Sequence, residues 1–288
     1  MRKPFAVVII MMLCICFCAV TPALSAADAE PVLKTVQRAV TAELNRLDAG
    51  LKDAALRLGK SGIVGENARS ALKKLCNEYS YAVDCAAVDL RGTMVTIEPS
   101  SFRKFEGTDI SAQEHVKRML KTGAPLLSSV FRAVEGFPAV DAEYPVTDPD
   151  GRRLGSVSML FHPEQLLGSI IAPAVQGMPV DIWVMEKGGL ILYDVDMSQI
   201  GLDLFRAPLY APYTELIALG RRIAAVPEGE GIYTFRRGTS NATVAKNAFW
   251  QTASLYGTEW RLVAIHVEQN DISRSTGIAV QAALAEKK

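Results

Sequence analysis

Histidine and cysteine are scarce in this chain of 288 residues, which has three of the first and five of the second. His115, His162 and His266 show neither HExxH nor His-x-His spacing, so a zinc centre would have to assemble from distant parts of the chain. Cys14, Cys16 and Cys18 fall in the N-terminal apolar run, which leaves Cys76 and Cys85, too few for a cysteine-rich metal site. Gly-x-Ser-x-Gly, the Walker phosphate loop and Gly-x-Gly-x-x-Gly are all missing, which removes the nucleophile elbow and the common phosphate cradles. Asp148-Pro149-Asp150-Gly151 lacks the terminal glutamate of a calcium loop and reads as a turn. Charge of one sign is lacking too: Lys+Arg 31 balance Asp+Glu 31, so no long-range field steers the chain to nucleic acid. The expectation is a protein that is not an enzyme, with no cofactor and no metal.

What is present begins with a targeting pattern. Arg2 and Lys3 precede an uncharged run from Phe5 to Val20, and Pro22 with the small residues around Ser25, Ala26 and Ala27 closes it. Residues 1–26 read as a secretory signal peptide, the alternative being an uncleaved membrane anchor. Export places Cys76 and Cys85 in an oxidising compartment, where they form either a disulfide or two buried thiols. Residues 268–288 form a mildly apolar tail with no run long enough to cross a bilayer. Asn241-Ala242-Thr243 matches a glycosylation acceptor.

Leu33, Val36, Val40, Leu44, Leu47, Leu51, Ala55 and Leu58 recur at steps of three and four, the mark of one long amphipathic helix. At about 1.5 Å per residue it extends some 40 Å, longer than one small domain needs, so it is expected to span two. Gly59, Gly62 and Gly65 are expected to interrupt it, and a second helix carries the chain to about residue 79. The period then changes to strands: 81–90, 94–97, 126–134, 139–146 and 154–161, with helices over 112–120 and 165–171. A linker over 172–179 leads to the same order again: strands 180–186 and 190–193, a helix over 213–225, then strands 231–236, 242–253 and 260–266. The expected fold class is α+β, a long N-terminal helix packed on two tandem modules (80–171 and 172–267), each a small antiparallel sheet with flanking helices.

Val88-Asp89-Leu90-Arg91-Gly92, Gly107-Thr108-Asp109-Ile110-Ser111, Lys121-Thr122-Gly123-Ala124-Pro125 with Ser128, and Tyr144-Pro145-Val146-Thr147-Asp148 through Gly151 and Gly155 follow one another in an order that resembles the first module of the double Cache (tandem PAS-like) extracytoplasmic sensor domains. Gly188-Gly189, Leu190 through Asp194, Ile200-Gly201 and Trp260-Arg261-Leu262 resemble landmarks of the second. The resemblance covers roughly residues 31–267. It implies signal transduction without catalysis, and a small-molecule pocket between sheet and covering helix in the membrane-distal first module. In members that take amino acids, an arginine, an aromatic pair and a last-strand aspartate hold the ligand. By spacing these positions fall here on Gln113, His115, Val116 and Leu160, which argues against an α-amino acid.

Residue chemistry supplies a candidate pocket beside the resemblance. Ser156, Ser158 and Leu160 share one face of their strand, and Asp141 and Glu143 share one face of the neighbouring strand. Gln113, His115, Phe131 and Arg132 are placed to approach from the cover, giving a site suited to a small polar or cationic ligand. Blander readings stand alongside: Asp141 and Glu143 as the wet face of an edge strand, His115 as a surface or cap residue, and Trp183, Tyr193, Tyr210, Tyr213 and Trp250 as core aromatics or the lining of a second pocket. Two functions fit: an exported ligand-sensing module that signals through a separate membrane receptor or kinase, or a scaffold that has kept the fold without a ligand. A homodimer through the long helix is compatible with either.

Overall fold

The structure, a computed structural model, describes residues 29–236 and 242–266. The targeting segment 1–26, Asn241 and the tail 268–288 lie outside the described residues. Helix α1 (Ala29–Ser61) is the long rod read from the sequence, and its whole apolar stripe from Leu33 to Leu58 is buried. Gly59 does not interrupt it. The helix passes through that glycine because Thr147 lies against it: a Cβ there would sit 2.1 Å from the Thr147 carbonyl oxygen. Gly59→Ala is therefore expected to cost about 1–3 kcal/mol through overpacking, measured as a fall in the denaturant midpoint, although alanine is the better helix former. Gly62 and Gly65, both at positive φ, make the turn into α2 (Glu66–Asn77).

The first sheet contains β1 (Ala82–Asp89), β2 (Met94–Glu98), β3 (Leu126–Leu127), β4 (Phe131–Arg132), β5 (Pro138–Thr147) and β6 (Arg153–Phe161). Its order is β2-β1-β6-β5-β3, with β4 pairing on β5. The expected strand over 126–134 is thus two short pieces, β3 and β4, separated by a step off the sheet. Helix α3 (Glu114–Thr122) covers one face. The second sheet, β7 (Val180–Glu186), β8 (Ile191–Tyr193), β9 (Gly229–Arg236), β10 (Thr243–Leu255) and β11 (Thr258–His266), has the order β8-β7-β11-β10-β9, with α5 (Thr214–Ala225) on one face. Helix α4 (Pro163–Val175) carries Pro173 in its last turn and shortens the expected linker to 176–179.

Alternation along the strands sorts each sheet into two faces. In the first, Val140, Ala142, Val157, Met159 and Phe161 join Leu33 to Leu58 of α1 in a core that continues through Ile182, Val184, Leu262 and Ala264 of the second sheet. One rod and one core therefore hold both sheets. Gln37 near one end of α1 donates to the Thr252 carbonyl (2.9 Å) on β10, while Gly59 near the other packs on the first sheet. Segment 126–132 joins the sheets directly: Thr258 Oγ1 donates to the Leu127 carbonyl (2.6 Å), and the Val130 amide donates to Glu186 Oε1 (2.8 Å). Trp183, Tyr210 and Trp250 are packed into the core under α5, with Tyr213 and Tyr193 partly buried at core margins.

Cys76 and Cys85 are free thiols, so the disulfide alternative is not the one this structure adopts. Cys85 is buried among apolar groups beside Cys76, and that burial pushes its thiol well up.

Candidate ligand-binding site

The first sheet's other face is where apolar alternation gives way to acid. Asp84 on β1 and Asp141 on β5 both stand opposite Leu160 on the strand between them, β6. One register step along, Ser158 lies between Ala86 and Glu143. Asp141 and Glu143 are not on an edge strand: β5 runs between β6 and the short β3 and β4, and the two carboxyls are 4% and 1% exposed. Ser128 clamps Asp141 by accepting its amide at Oγ and donating its own amide to the Asp141 carbonyl, 2.8 Å each. Ser156 Oγ donates to Glu143 Oε1.

Helix α3 and the segment 131–135 roof these carboxyls. Gln113 is the residue preceding α3, and His115, in the first turn, is buried rather than a surface cap. Its Nε2 stands 3.7 Å from Asp141 Oδ2, and its ring centroid is 4.3 Å from that of Phe131. Together with Asp84, Ser158 and Glu135 these side chains line a half-open cavity of ≈ 20 Å³, room for one or two waters.

The electrostatics of the cavity are one-sided. Burial raises Asp84, Asp141 and Glu135, and brings Glu143 up to about 7. Every charge acting on Asp141, those of Glu143, Asp84 and Glu135, is negative. Burial also lowers His115 to about 4, so its ring is neutral at pH 7 and the His115–Asp141 contact is not an ion pair there. Two carboxylate oxygens, Asp84 Oδ2 and Glu143 Oε2, are buried with no hydrogen-bond partner. Unpaired buried acceptors of this kind cost stability unless a cation or donor meets them.

Of the eight residues read from the sequence, Gln113, His115, Phe131, Asp141 and Ser158 line the cavity. Glu143 and Ser156 are buried on the same face beyond the lining, bonded to each other. Arg132 is not part of the site: it is exposed, on the side of β4 opposite to Phe131. Sequence reading missed Asp84 and Glu135. Asp84 carried a usable signal, an acid in register with Ala86 and Val88 on the face of β1 that the strand otherwise fills with apolar side chains. Glu135 sits in the turn after β4 and becomes visible only once that segment folds over the sheet.

The comparisons with known proteins agree with this architecture. The HK/GC/chemotaxis protein-like sensor domain model matches residues 42–163. An extracellular ligand-binding receptor from Desulfohalobium retbaense is 33% identical with a TM-score of 0.72, over 84% of this chain and 41% of that one. This chain folds as a double Cache sensor domain. It is a sensor domain of the chemoreceptor and histidine kinase type, and it spans about two fifths of the length of the Desulfohalobium receptor chain. No curated protein matches it.

Two further double Cache structures overturn one expectation. The ligand-binding domain of the Pseudomonas aeruginosa PAO1 amino acid chemoreceptor PctC, in complex with GABA, is 15% identical with a TM-score of 0.58, covering 83% of this chain and 99% of that one. That of the Pseudomonas fluorescens chemoreceptor CtaA, in complex with L-valine, is also 15% identical at a TM-score of 0.58, covering 85% and 97%. The exclusion of α-amino acids, drawn from Gln113, Val116 and Leu160, does not hold for this double Cache domain. The physical reason lies in the register: Leu160 is flanked on both sides by aspartates, so an acceptor for an amino group is present one strand away from where spacing placed it. Among the described residues, no helix is long and apolar enough to cross a membrane.

Proposed function

We propose that this double Cache domain senses a small compound bearing an amino group, an amino acid or an amine, held in the first module by Asp84 and Asp141 under the roof of His115 and Phe131. The observation that carries this reading is the buried carboxylate oxygen of Asp84, left without a partner in the cavity wall it shares with Asp141, under a roof of two rings. An ammonium supplies the missing donors and the missing positive charge, and an aromatic face adds cation–π attraction. PctC and CtaA, which hold GABA and L-valine in the same fold, support the ligand class. The cavity of ≈ 20 Å³ is smaller than any amino acid, so entry requires the roof to lift at segment 131–135, where Val134 is 38% exposed. In this proposal the domain acts outside the cytoplasm, delivered by residues 1–26, and its ligand state is read by a separate membrane receptor or kinase.

Thermal denaturation of the purified chain with GABA, L-valine, L-serine, L-arginine, L-glutamine and simple alkylamines tests the reading. A compound present at 100 times its dissociation constant adds about 2.7 kcal/mol, a rise of several degrees. Ser158→Leu, which fills the cavity with an apolar side chain, is expected to remove that rise while leaving the chain folded. No saturable rise with any compound would reject the sensory reading in favour of a scaffold.

A further inference from the structure

We infer that His115, Asp141 and Glu143 form a binding site for one divalent transition-metal ion, and that the sensed amino compound is held by chelation to that ion. The second half of this inference rests on the sensory reading above, with the ion taking the place of Asp141 as the group that meets the unprotonated amine; the first half does not. The histidines show no metal-ligand spacing along the chain, yet the fold brings these three residues together from α3 and β5. Each offers a donor atom, and the three donor atoms lie within 4.8 Å of one another. A tetrahedral ion with bonds of about 2.0–2.1 Å holds its donors roughly 3.3 Å apart, so small side-chain rotations close the set.

Several observations beyond the clustering of acids point to an ion. Glu143 is 1% exposed and keeps Oε2 buried without a partner, and Asp84, also 1% exposed, keeps Oδ2 unpartnered in the wall of the same cavity. The cavity's ≈ 20 Å³ admits an ion and its water but no organic molecule without movement. His115 Nε2 stands 3.7 Å from Asp141 Oδ2, beyond hydrogen-bond reach, and the Asp141 carboxyl is bonded instead to Ser158. One imidazole with two carboxylates suits a first-row ion such as Zn²⁺ better than Ca²⁺, which prefers an all-oxygen cage.

Three protein ligands leave at least one coordination position open, as in zinc sites that take up an exchangeable ligand. Its place is the cavity, bounded by Asp84, Ser158 and Phe131. An amino acid bound there through its carboxylate and amine needs no arginine, because the ion supplies the positive charge that an arginine supplies elsewhere.

The test uses the whole purified chain, stripped with EDTA and dialysed free of it, titrated with ZnCl₂ by calorimetry and with CoCl₂ by visible absorption. Expected are one ion per chain, a cobalt ligand-field spectrum of low-symmetry coordination, and Zn²⁺ affinity lowered by about 100-fold or more in His115→Ala and in the near-isosteric Glu143→Gln, each checked by circular dichroism. Weak Zn²⁺ uptake that both folded variants retain would overturn the metal site. The compounds of the screen above are then titrated with and without one equivalent of Zn²⁺. Affinity that rises at least 10-fold with the ion, together with a change in the cobalt spectrum, is expected. Equal affinity without the ion would overturn chelation and leave the sensory reading standing. Tight Zn²⁺ binding with no response to any compound would overturn chelation and reject the sensory reading, with the metal site retained.

Discussion

Asp141→Asn is expected to weaken binding of the amino compound by at least about 30-fold and, in metal-free protein, to raise stability at neutral pH. The first effect follows from removing one partner of a buried charge contact, which costs about 2–5 kcal/mol. The second follows from linkage. Burial and the neighbouring acids raise Asp141 above its ordinary value, so over the range from about pH 4 upward the folded protein holds a proton that the unfolded chain has lost. On account of this group the unfolded chain binds fewer protons there, and the contribution of Asp141 to wild-type stability falls as pH rises. Asparagine does not titrate. Chemical denaturation at pH 5 and pH 8 in EDTA should show the variant gaining on wild type at the higher pH. A variant that binds as wild type does, or whose stability relative to wild type is the same at both pH values, contradicts this account. A site that destabilises its own unliganded fold is a familiar trade of stability for function.

The largest structural effect is expected from Leu47→Ala. Leu47 is fully buried near the middle of α1, between Gln37, which bonds the second sheet, and Gly59, packed on the first. Truncation should cost about 3–5 kcal/mol through lost burial and the cavity left behind. Because the core on this side of both sheets is continuous, the loss should appear as one cooperative transition at lower denaturant for the whole domain. Two separated transitions, with only one of them shifted, would show that the rod does not couple the sheets. Tryptophan fluorescence reports the second sheet, which contains Trp183, Trp250 and Trp260, and far-ultraviolet circular dichroism reports the total helix.

The rod and both sheets were legible because their signals are local: a 3.6-residue stripe from Leu33 to Leu58, and period-two strands punctuated by Gly and Pro. Sequence periodicity could not tell that Gly59 lies against the backbone at Thr147, since that contact joins residues 88 positions apart. The candidate site was half legible. Asp141, Glu143, Ser156 and Ser158 share strand faces, which alternation reveals, and His115 comes with the covering helix. Asp84 was lost because one acid in a buried strand looks like noise until register sets it across Leu160 from Asp141. The same blindness made Leu160 look like a missing acceptor when two acceptors flank it. The proposed set of metal ligands was invisible for the same reason, since His115 and Asp141 meet only when α3 folds over the first sheet.

Segment 126–132 is short, yet it is fastened at both ends to different machinery. Phe131 forms part of the roof, whereas Leu127 and Val130 are hydrogen-bonded to β11 and β7 of the other sheet. In the proposed reading, a guest too large for the resting cavity pushes on Phe131, whose neighbour Val130 is bonded through its amide to Glu186. The domain thus contains a crank of seven residues, whose throw is set by how much larger the guest is than the space it enters.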